Sequence, residues 1–441
     1  MKIKGSMTLL CVLFAGHVLA GNFSFAQEAG EALSISIDDA VAMALEASED
    51  LKLKDNEVRR KGSLRNEEKS YLFPKIMGEV GWSNNFEYPD ISATAATKEY
   101  HADAGVTISQ TVFTFGRISH SISAAQKALE SSRYVKEGTK QEVIYNTKIA
   151  YFSTYLASRI LSVADESYQN ALKNKEILEG RSSGGRVSKY DNIKIASDIA
   201  SRKPAVNNAR ADLASAMETL KVVIGVGSKN LIELKEGFWE EYPDLARDEL
   251  ALALYNNQPE IRSLAKNIEE QEYIIKSKKA TLYPEVSAFA TWNHKGDSVD
   301  ASIGGDNMED YGVAGLKVSI PVWLGGISRE KLYQAKIDKE DAELLYKQGG
   351  EEYLLLLDKA INEYREYKKT LEVNKEAIRL AEESFKYSQE LLGSGQLSVT
   401  DLNDAELQLT NSKINKELTL FKLNSTLAVI ERLTLMRGND E

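Results

Sequence analysis

The sequence predicts a mainly helical protein with a smaller β component, built from two copies of one structural unit and assembled into an oligomeric tube. Three observations predict this fold class. The chain repeats itself at an offset of 210 residues, four segments alternate apolar and polar residues, and two helical stretches of about 65 residues contain no proline. At about 1.5 Å per residue each stretch spans roughly 100 Å as a helix. A chain of this length would ordinarily suggest two or three globular domains, but the repeat indicates two copies of one elongated unit instead.

Residues 1–26 have the layout of a secretory signal peptide. A basic start with Lys2 and Lys4 precedes an apolar run from Met7 to Ala20, and a small-x-small site ends at Ala26. Cleavage after Ala26 leaves 415 of the 441 residues, and cleavage after Ala20 is the alternative. The first cut removes two lysines and no acid, so the net charge of −11 becomes −13.

The mature composition excludes several functional classes. The single cysteine, Cys11, lies in the signal segment, so the exported chain forms no disulfide and offers no thiolate to a metal. The acidic net charge disfavours nucleic-acid binding, which requires a basic surface. His101, His120 and His294 lack metal-ligand spacing, and there is no phosphate loop, nucleophile elbow or paired carboxylate motif. We therefore expect no cofactor, no metal site and no enzymatic activity.

The internal repeat covers most of the mature chain. Motifs that contain proline, tryptophan or glycine align in one register. The aligned motifs are Leu72–Pro74 with Leu282–Pro284, Trp82 with Trp292, Gly105 with Gly315, Val112 with Val322, Gly116 with Gly326, and 185–191 with 395–401. Such a series indicates a tandem duplication. The predicted units are residues 27–225 and 245–438, joined by a linker at residues 226–244.

Each unit begins with a helical segment, expected from Ile37 to about Tyr71 and from Asp248 to about Leu282. Ser36 and Asp39 form a capping-box pattern at the first start, with aspartate in place of the usual glutamate. Pro259 lies inside the second segment, where a break or kink is expected. A further proline closes each segment, because the residue before proline avoids the helical region.

Four strands are predicted where the apolar period changes from about 3.6 to 2. Their expected ranges are 76–88, 102–113, 286–294 and 312–322. Even-numbered positions such as Val80, Trp82 and Ala104 are mostly apolar, whereas odd positions such as Glu79 and Ser83 are polar. This length suits a tilted transmembrane strand, and the same alternation also fits an ordinary half-exposed sheet.

Long helices follow the strands, expected at residues 117–181 and 327–392. Small residues such as Thr147, Ala150 and Ala157 recur at heptad spacing along the first, which favours many helices packed closely side by side. Turns at residues 182–188 and 393–398 lead into returning helices, and Pro204 interrupts the first of these, where a kink is expected.

Four strands cannot close a barrel, and an open strand edge is not tolerated in lipid. A membrane location therefore requires several chains: two give eight strands, three give twelve and four give sixteen. The long helices would continue such a barrel as a helical tube.

The order and duplication of these motifs resemble the TolC family of outer-membrane efflux proteins, over about residues 35–438. The resemblance implies a homotrimer with a 12-stranded outer-membrane β-barrel continued by a periplasmic α-helical barrel. It implies a passive exit duct for a tripartite efflux pump or a type I secretion system. The implied partners are outer-membrane lipid, a periplasmic adaptor (membrane fusion protein) and an inner-membrane transporter of the RND or ABC type.

The turns at residues 182–188 and 393–398, here called the tip turns, are the first candidate sites. Gly185 and Gly395 fit left-handed helix ends, and Ser188 and Ser398 fit helix caps. By the resemblance the turns form the periplasmic mouth, so all four are candidates for adaptor contact. Leu392 and Leu397 join these candidates: they stand where some family members lock the mouth with tyrosine and arginine, and they predict an apolar closure instead.

Carboxylates near the tip are the second candidates. Asp401 and Asp404 lie one turn apart on one helix face and match aperture aspartates of the family. In a trimer they would form two rings that attract cations, and Asp191 is the corresponding acid of the first tip. Lys194 is the residue of the first unit that is equivalent to Asp404, and its positive charge would weaken the negative field of these carboxylates. A solvated acidic face explains the same residues without a pore.

Phe113, Phe115 and Trp323 lie at or after the end of the second strand of each unit, the strand that leads back toward the periplasm. They are candidates for an aromatic girdle at the membrane interface. Ordinary packing at a sheet–helix junction is the alternative. The competing function is a soluble periplasmic coiled-coil adaptor or scaffold whose strands form a small cap. That alternative needs one face of the sheet to be buried by other elements.

Overall fold

Long helices and a four-stranded sheet dominate the computed structural model, which describes residues 33–84, 100–182, 188–298 and 308–436. The helices are α1 (Ile37–Ala47), α2 (Glu49–Ser70), α3 (Arg117–Ser182), α4 (Lys189–Val223), α5 (Arg247–Asn257), α6 (Pro259–Ala280), α7 (Ile327–Ser394) and α8 (Val399–Thr434). The strands are β1 (Leu33–Ile35), β2 (Lys75–Asn84), β3 (Tyr100–Phe113), β4 (Ile232–Leu234), β5 (Glu285–Ser298) and β6 (Met308–Ser319).

The first helical segment of each unit is broken at equivalent positions. Pro259 is the first residue of α6, which confirms the break expected there. The continuous helix expected from Ile37 to Tyr71 is wrong, because Ser48, the residue equivalent to Gln258, adopts a non-helical conformation between α1 and α2. Its hydroxyl accepts a hydrogen bond from the Leu51 N–H at 3.2 Å and caps the second helix. A serine cap supports a new helix start as well as a proline does.

The four long strands form one antiparallel sheet in the order β2-β3-β5-β6. β5 runs to Ser298, beyond the expected end at 294, whereas β6 starts earlier and ends earlier than its expected range. The expected strand residues 85–88 lie outside the described residues. In all three pairings even-numbered residues stand opposite even-numbered residues, as in Val80 with Ala104 and Val106 with Trp292, except at the bulge in β3, where Phe113 stands opposite Val286. The register therefore gathers the apolar positions of all four strands on one face.

Neither face of the sheet is covered within the described chain. No described helix packs across it, and Val80, Trp82 and Leu316 are each more than 60% exposed. The outer strands β2 and β6 each have a strand neighbour on one side only. The sheet thus exposes both an apolar face and two open edges.

The helices pack side by side as a row of neighbours. Near the sheet the order of contacts is α2-α3-α6-α7, and toward the far end it is α4-α3-α8-α7. Small residues predicted on the heptad seam are buried at these contacts, among them Thr147, Ala150 and Ala171. α4 continues as one helix through Pro204, so the helix is not broken there, and the kink expected at this residue stays a prediction. No helix in the described part of the chain is long and apolar enough to span a membrane.

A second, two-stranded sheet ties the start of the chain to the linker between the units. β1 pairs in parallel with β4, next to a core that contains Ile35, Tyr151 and Phe152. The Tyr151 hydroxyl lies 3.2 Å from the Ile35 carbonyl and 3.1 Å from the Glu236 carbonyl, and it accepts the Glu236 N–H at 3.2 Å. Burial raises the pKa of this hydroxyl, which favours its protonated form.

We expect Tyr151→Phe to destabilise the protein by about 1–3 kcal/mol, because it leaves buried backbone groups without their partner. Thermal unfolding in detergent, followed by circular dichroism, measures the change. Tyr190→Phe, at a tyrosine that is 68% exposed, is the matched control. Equal melting temperatures for the two variants would contradict the bridging role of Tyr151.

Candidate functional site

The turn between α7 and α8 requires a glycine. Gly395 ends α7 in the left-handed region at φ +83°, and its N–H reaches the Leu392 carbonyl at 3.0 Å. The Gln396 N–H bonds the Leu391 carbonyl at 2.9 Å. This is the arrangement that satisfies the last carbonyls of a helix, and a side chain at this φ would be strained. Gly185, the equivalent of Gly395, lies outside the described residues.

Serine caps start both returning helices, as the sequence predicts. Ser188 accepts the Asp191 N–H at 3.0 Å, and Ser398 accepts the Asp401 N–H at 3.2 Å. These two caps differ from a full capping box, because each aspartate carboxylate accepts a hydrogen bond from the serine hydroxyl rather than from the serine N–H. The complete box forms at Ser36, whose own N–H donates to its partner aspartate at 3.0 Å.

The two tip leucines belong to the core of their own chain. Leu392 is fully buried beside Phe385, Val399 and Leu402, and Leu397 packs against the same cluster while half-buried. This cluster, the tip core, also includes Leu178 and Ile195 from the first unit. The Leu392 side chain therefore stabilises the turn from inside, which corrects its expected place on a surface that meets an adaptor or closes a mouth.

The tip carboxylates lie on the surface of the single chain. Asp401 and Asp404 are exposed, and Asp191 is partly exposed. The Asp401 carboxylate accepts the Ser398 hydroxyl at 2.7 Å, so capping explains part of its role. Asp404 lies one turn further along α8, beyond the reach of the cap. Lys194, its counterpart in the first unit, is partly exposed on α4.

A buried ionic cluster joins the two units behind this surface. Arg202 of α4 donates to the Glu406 carboxylate of α8, to the Ser167 hydroxyl of α3 and, through Nε at 2.9 Å, to Asp198. Glu406 is fully buried and also accepts the Thr410 hydroxyl at 3.1 Å. No sequence pattern signalled this cluster, because its main partners lie 204 residues apart and neither belongs to a repeated motif.

Aromatic residues gather at the junction of sheet and helices. The Phe113 and Phe115 rings are 4.7 Å apart, and Phe115 stacks on Tyr283 at 5.2 Å. A bulge after Thr111 brings Phe113 opposite Val286, on the apolar face of the sheet. Trp323 is 76% exposed at the same level of the fold.

Two further exposed aromatic residues lie at this level, Tyr71 and Phe73. Sequence reasoning did not single them out. Phe73 lies inside the Leu72–Pro74 motif, and Tyr71 immediately precedes it. Tyr283, the equivalent of Phe73, has the same place in the second unit. The repeated motif was thus a signal for girdle candidates as well as for helix ends.

We expect Ser398→Ala to destabilise the first turn of α8 by about 1 kcal/mol, because the Asp401 N–H loses its acceptor. Faster hydrogen exchange of the Asp401 amide measures this loss, and Ser398→Asp restores a capping acceptor. Ser394→Ala is the control, since the Ser394 hydroxyl donates only to the Leu391 carbonyl. Unchanged exchange in Ser398→Ala would contradict the capping role.

We expect Arg202→Met alone to destabilise the tip by about 3–5 kcal/mol, because Glu406 is left charged and buried. The double variant Arg202→Met with Glu406→Met removes both charges and regains most of that loss. Limited proteolysis at the tip and the melting temperature report the difference. A double variant as unstable as the single one would show that the charge pairing is not what stabilises these helices.

Comparisons with known proteins agree with this geometry. The family model described as outer membrane efflux protein matches residues 40–226 and 250–433. The cobalt-zinc-cadmium resistance protein CzcC of Cupriavidus metallidurans is 21% identical over 302 residues, which cover 68% of this chain and 69% of the relative. The solvent efflux pump outer membrane protein SrpC of Pseudomonas putida is 20% identical over 400 residues, which cover 86% and 83%.

Solved structures show the same fold. The CmeC outer membrane channel of Campylobacter jejuni superposes with a TM-score of 0.77 at 16% identity and covers 98% of this chain and 94% of its own. The two matched blocks of the family model correspond to the two repeats and together span most of the sequence. The chain therefore belongs to the outer membrane efflux protein family, whose place is the outer membrane.

Proposed function

We propose that the chain is the passive exit duct of a tripartite efflux pump, active as a homotrimer with a 12-stranded barrel continued by a helical tube. The observation that carries the proposal is the sheet, whose apolar face is uncovered and whose two edge strands each lack a partner on their outer side within the described chain. Lipid satisfies the apolar face, whereas the edges need further strands from other copies.

The opposite face of the sheet suits a water-filled lumen. Across β3, β5 and β6 it aligns Asp103, Lys295 and Glu309 in one row, and Thr107 with Thr291 in another. The hydroxyls of these two threonines are 3.3 Å apart. An apolar face outside and a polar face inside is the pattern of a membrane barrel that conducts solutes through water.

An efflux pump fits better than type I secretion. CzcC is named for cobalt, zinc and cadmium resistance, and SrpC is named as part of a solvent efflux pump. The described residues contain no group of three or more His, Cys, Asp or Glu side chains that could hold a metal ion. Selection of cargo then belongs to the inner-membrane transporter and the periplasmic adaptor, and the duct catalyses no reaction.

The soluble adaptor or scaffold is the weaker candidate. It requires one face of the sheet to be buried by other elements, and no described helix covers either face. The exposed aromatics Phe113, Phe115 and Trp323 also fit an interfacial girdle, together with Tyr71 and Phe73. At the other end, Ser188, Gly395 and Ser398 are the proposed adaptor contacts, with Gly185 outside the described residues.

Planar-bilayer conductance of the purified protein, with its mass in detergent, tests the duct. Discrete openings from a complex of three chains are expected. A water-soluble species without openings would reject the duct and favour the scaffold.

We expect Asp404→Asn to reduce the preference for cations over anions, because it removes an exposed carboxylate from the proposed aperture. The effect should be larger in 0.1 M than in 1 M salt, since the Debye length falls from about 10 Å to about 3 Å. Reversal potentials under a salt gradient measure it, and Asp401→Asn is measured in parallel. Asp338→Asn, far from the tip on α7, is the control; equal selectivity in all three variants and the parent would remove the aperture role.

A further inference from the structure

The helix ends that adjoin the sheet carry a surplus of positive charge. α2 and α6 end just before β2 and β5, whereas α3 and α7 begin just after β3 and β6, so all four ends lie at the same edge of the antiparallel sheet. The residues at this level, 65–75, 117–121, 276–285 and 327–331, contain nine lysines or arginines and four glutamates. Their formal charge is therefore +5, in a chain whose net charge is −11.

Five of these basic residues are exposed and form no ion pair within the described residues. They are called the basic collar here: Lys69, Lys276, Lys279, Arg329 and Lys331. Arg117 is left out, because its guanidinium lies 2.6 Å from the Glu285 carboxylate. Lys278 is left out as well, because it lines a groove together with Glu67 and Glu270. The collar residues are thus available to a ligand of negative charge.

The helices α3, α6 and α7 pair their charges about ten residues further from the sheet. There the Lys127 ammonium lies 2.8 Å from the Glu269 carboxylate, and the Lys339 ammonium lies 3.1 Å from the Glu272 carboxylate. Ten residues of helix span about 15 Å. Carboxylates of the protein therefore neutralise basic residues at that level, whereas the collar residues beside the sheet have no such partner.

Helix dipoles explain only part of the collar. Lys69 and Lys279 lie in the last turns of α2 and α6, where the partial negative charge of the helix end favours a cation. Arg329 lies in the first turn of α7, where the partial positive charge disfavours one. What these residues share is their level next to the sheet. A counter-charge outside the helices explains both sets.

Aromatic side chains accompany the collar at a fixed spacing. Lys69 precedes Phe73 by four residues, and Lys279 precedes Tyr283 by four residues, so both units of the duplication combine a lysine with a ring. Both rings are exposed. At a membrane surface such rings lie at the depth of the lipid headgroups, and lysine side chains extend until the ammonium group reaches water. Collar residues next to these rings would therefore meet the headgroup phosphates.

We propose that the basic collar binds the phosphate groups of anionic phospholipids, in the leaflet that surrounds the helix-side edge of the sheet. The proposal rests on the membrane barrel proposed above and names the lipid class that this barrel selects. Clustered basic residues beside a membrane segment attract anionic headgroups, and each residue contributes roughly fivefold to the partition constant. One negatively charged surface then accounts for the basic residues at helix starts and at helix ends.

A protein partner accounts for the collar less well. The adaptor contacts proposed above lie at the tip turns, at the far ends of α3 and α7, which are 66 and 68 residues long. At about 1.5 Å per residue this separation is about 100 Å. The collar lies instead beside the apolar, uncovered face of the sheet, which itself requires lipid.

Lipid retention tests the collar. The purified mature protein is equilibrated in mixed micelles that contain equal amounts of phosphatidylglycerol and phosphatidylcholine with the same acyl chains. Native mass spectrometry then counts the lipids that stay bound. We expect the parent to retain phosphatidylglycerol at least fivefold over phosphatidylcholine in roughly 0.05 M salt, and much less selectively in about 0.5 M salt, because salt screens the attraction.

Two matched variants each neutralise four lysines and one arginine. The collar variant combines Lys69→Gln, Lys276→Gln, Lys279→Gln, Arg329→Gln and Lys331→Gln. The control variant changes exposed basic residues further from the sheet, which form no ion pair within the described residues: Lys173→Gln, Lys203→Gln, Arg210→Gln, Lys369→Gln and Lys386→Gln. We expect the collar variant to lose the preference for phosphatidylglycerol and the control variant to keep it.

A smaller pair of variants serves where five substitutions prevent folding. Lys69→Gln with Lys279→Gln removes the two repeated lysines and should lower the preference severalfold, whereas Lys69→Arg with Lys279→Arg keeps the charges and should preserve it. Neutralised collar variants that keep the parent's preference would overturn the collar. A parent that conducts in bilayers but holds both lipids equally would also overturn it and leave the proposed duct standing. A water-soluble protein that neither holds lipid nor conducts would overturn both.

Discussion

The open edges of the sheet set the constraint on which the rest of the structure depends. β2 and β6 each have a strand neighbour on one side only, within the described chain. In lipid every unsatisfied backbone group costs several kcal/mol, so neither edge can remain open there. The apolar face, with Val80, Trp82 and Leu316 exposed, requires that same lipid. Only a closed sheet satisfies both demands. Because four strands are too few to close a barrel, closure would require strands from several copies.

The helices inherit their arrangement from that sheet. Gly326, at φ +86°, starts α7 shortly after β6, and Phe115 and Gly116 hold the corresponding positive φ values before α3. In the proposed ring of strands, the long helices would therefore lie side by side in a ring. Their contacts use small polar pairs, such as Ser131 with Ser263 at 2.9 Å, which permit close approach. The bulky apolar residues concentrate instead in three clusters: the tip core, the region near β1 and β4, and a cluster between α5, α7 and α8 that contains Leu254, Leu357 and Leu427.

Much of this fold could be predicted from the sequence, because periodicity and capping patterns are visible within short segments and the duplication repeats them at a fixed offset. The four strands, the two long helices and the caps at Ser188 and Ser398 all follow from patterns within a few residues. The break at Ser48 was missed because serine favours helix starts but is also tolerated inside helices, whereas a proline such as Pro259 is not. The Arg202–Glu406 cluster and the burial of Leu392 were missed because both depend on which helices become neighbours far along the chain.

The duplication is also where the tip departs from the rest of the tube. Arg202 and Glu406 have Ser412 and Ala196 as their equivalents, neither of which carries a charge, so the buried ionic cluster exists once per chain rather than twice. The tip core is similarly uneven, since most of its residues, including Phe385, come from the second unit. In the proposed three-copy ring the sheet and the upper helices would follow six near-equal repeats. The tip would not, and we expect its two hairpins to differ in stability. Any movement that widens the tip would therefore fall unequally on the two hairpins, because a buried charge pair is strongly destabilised when its partners separate.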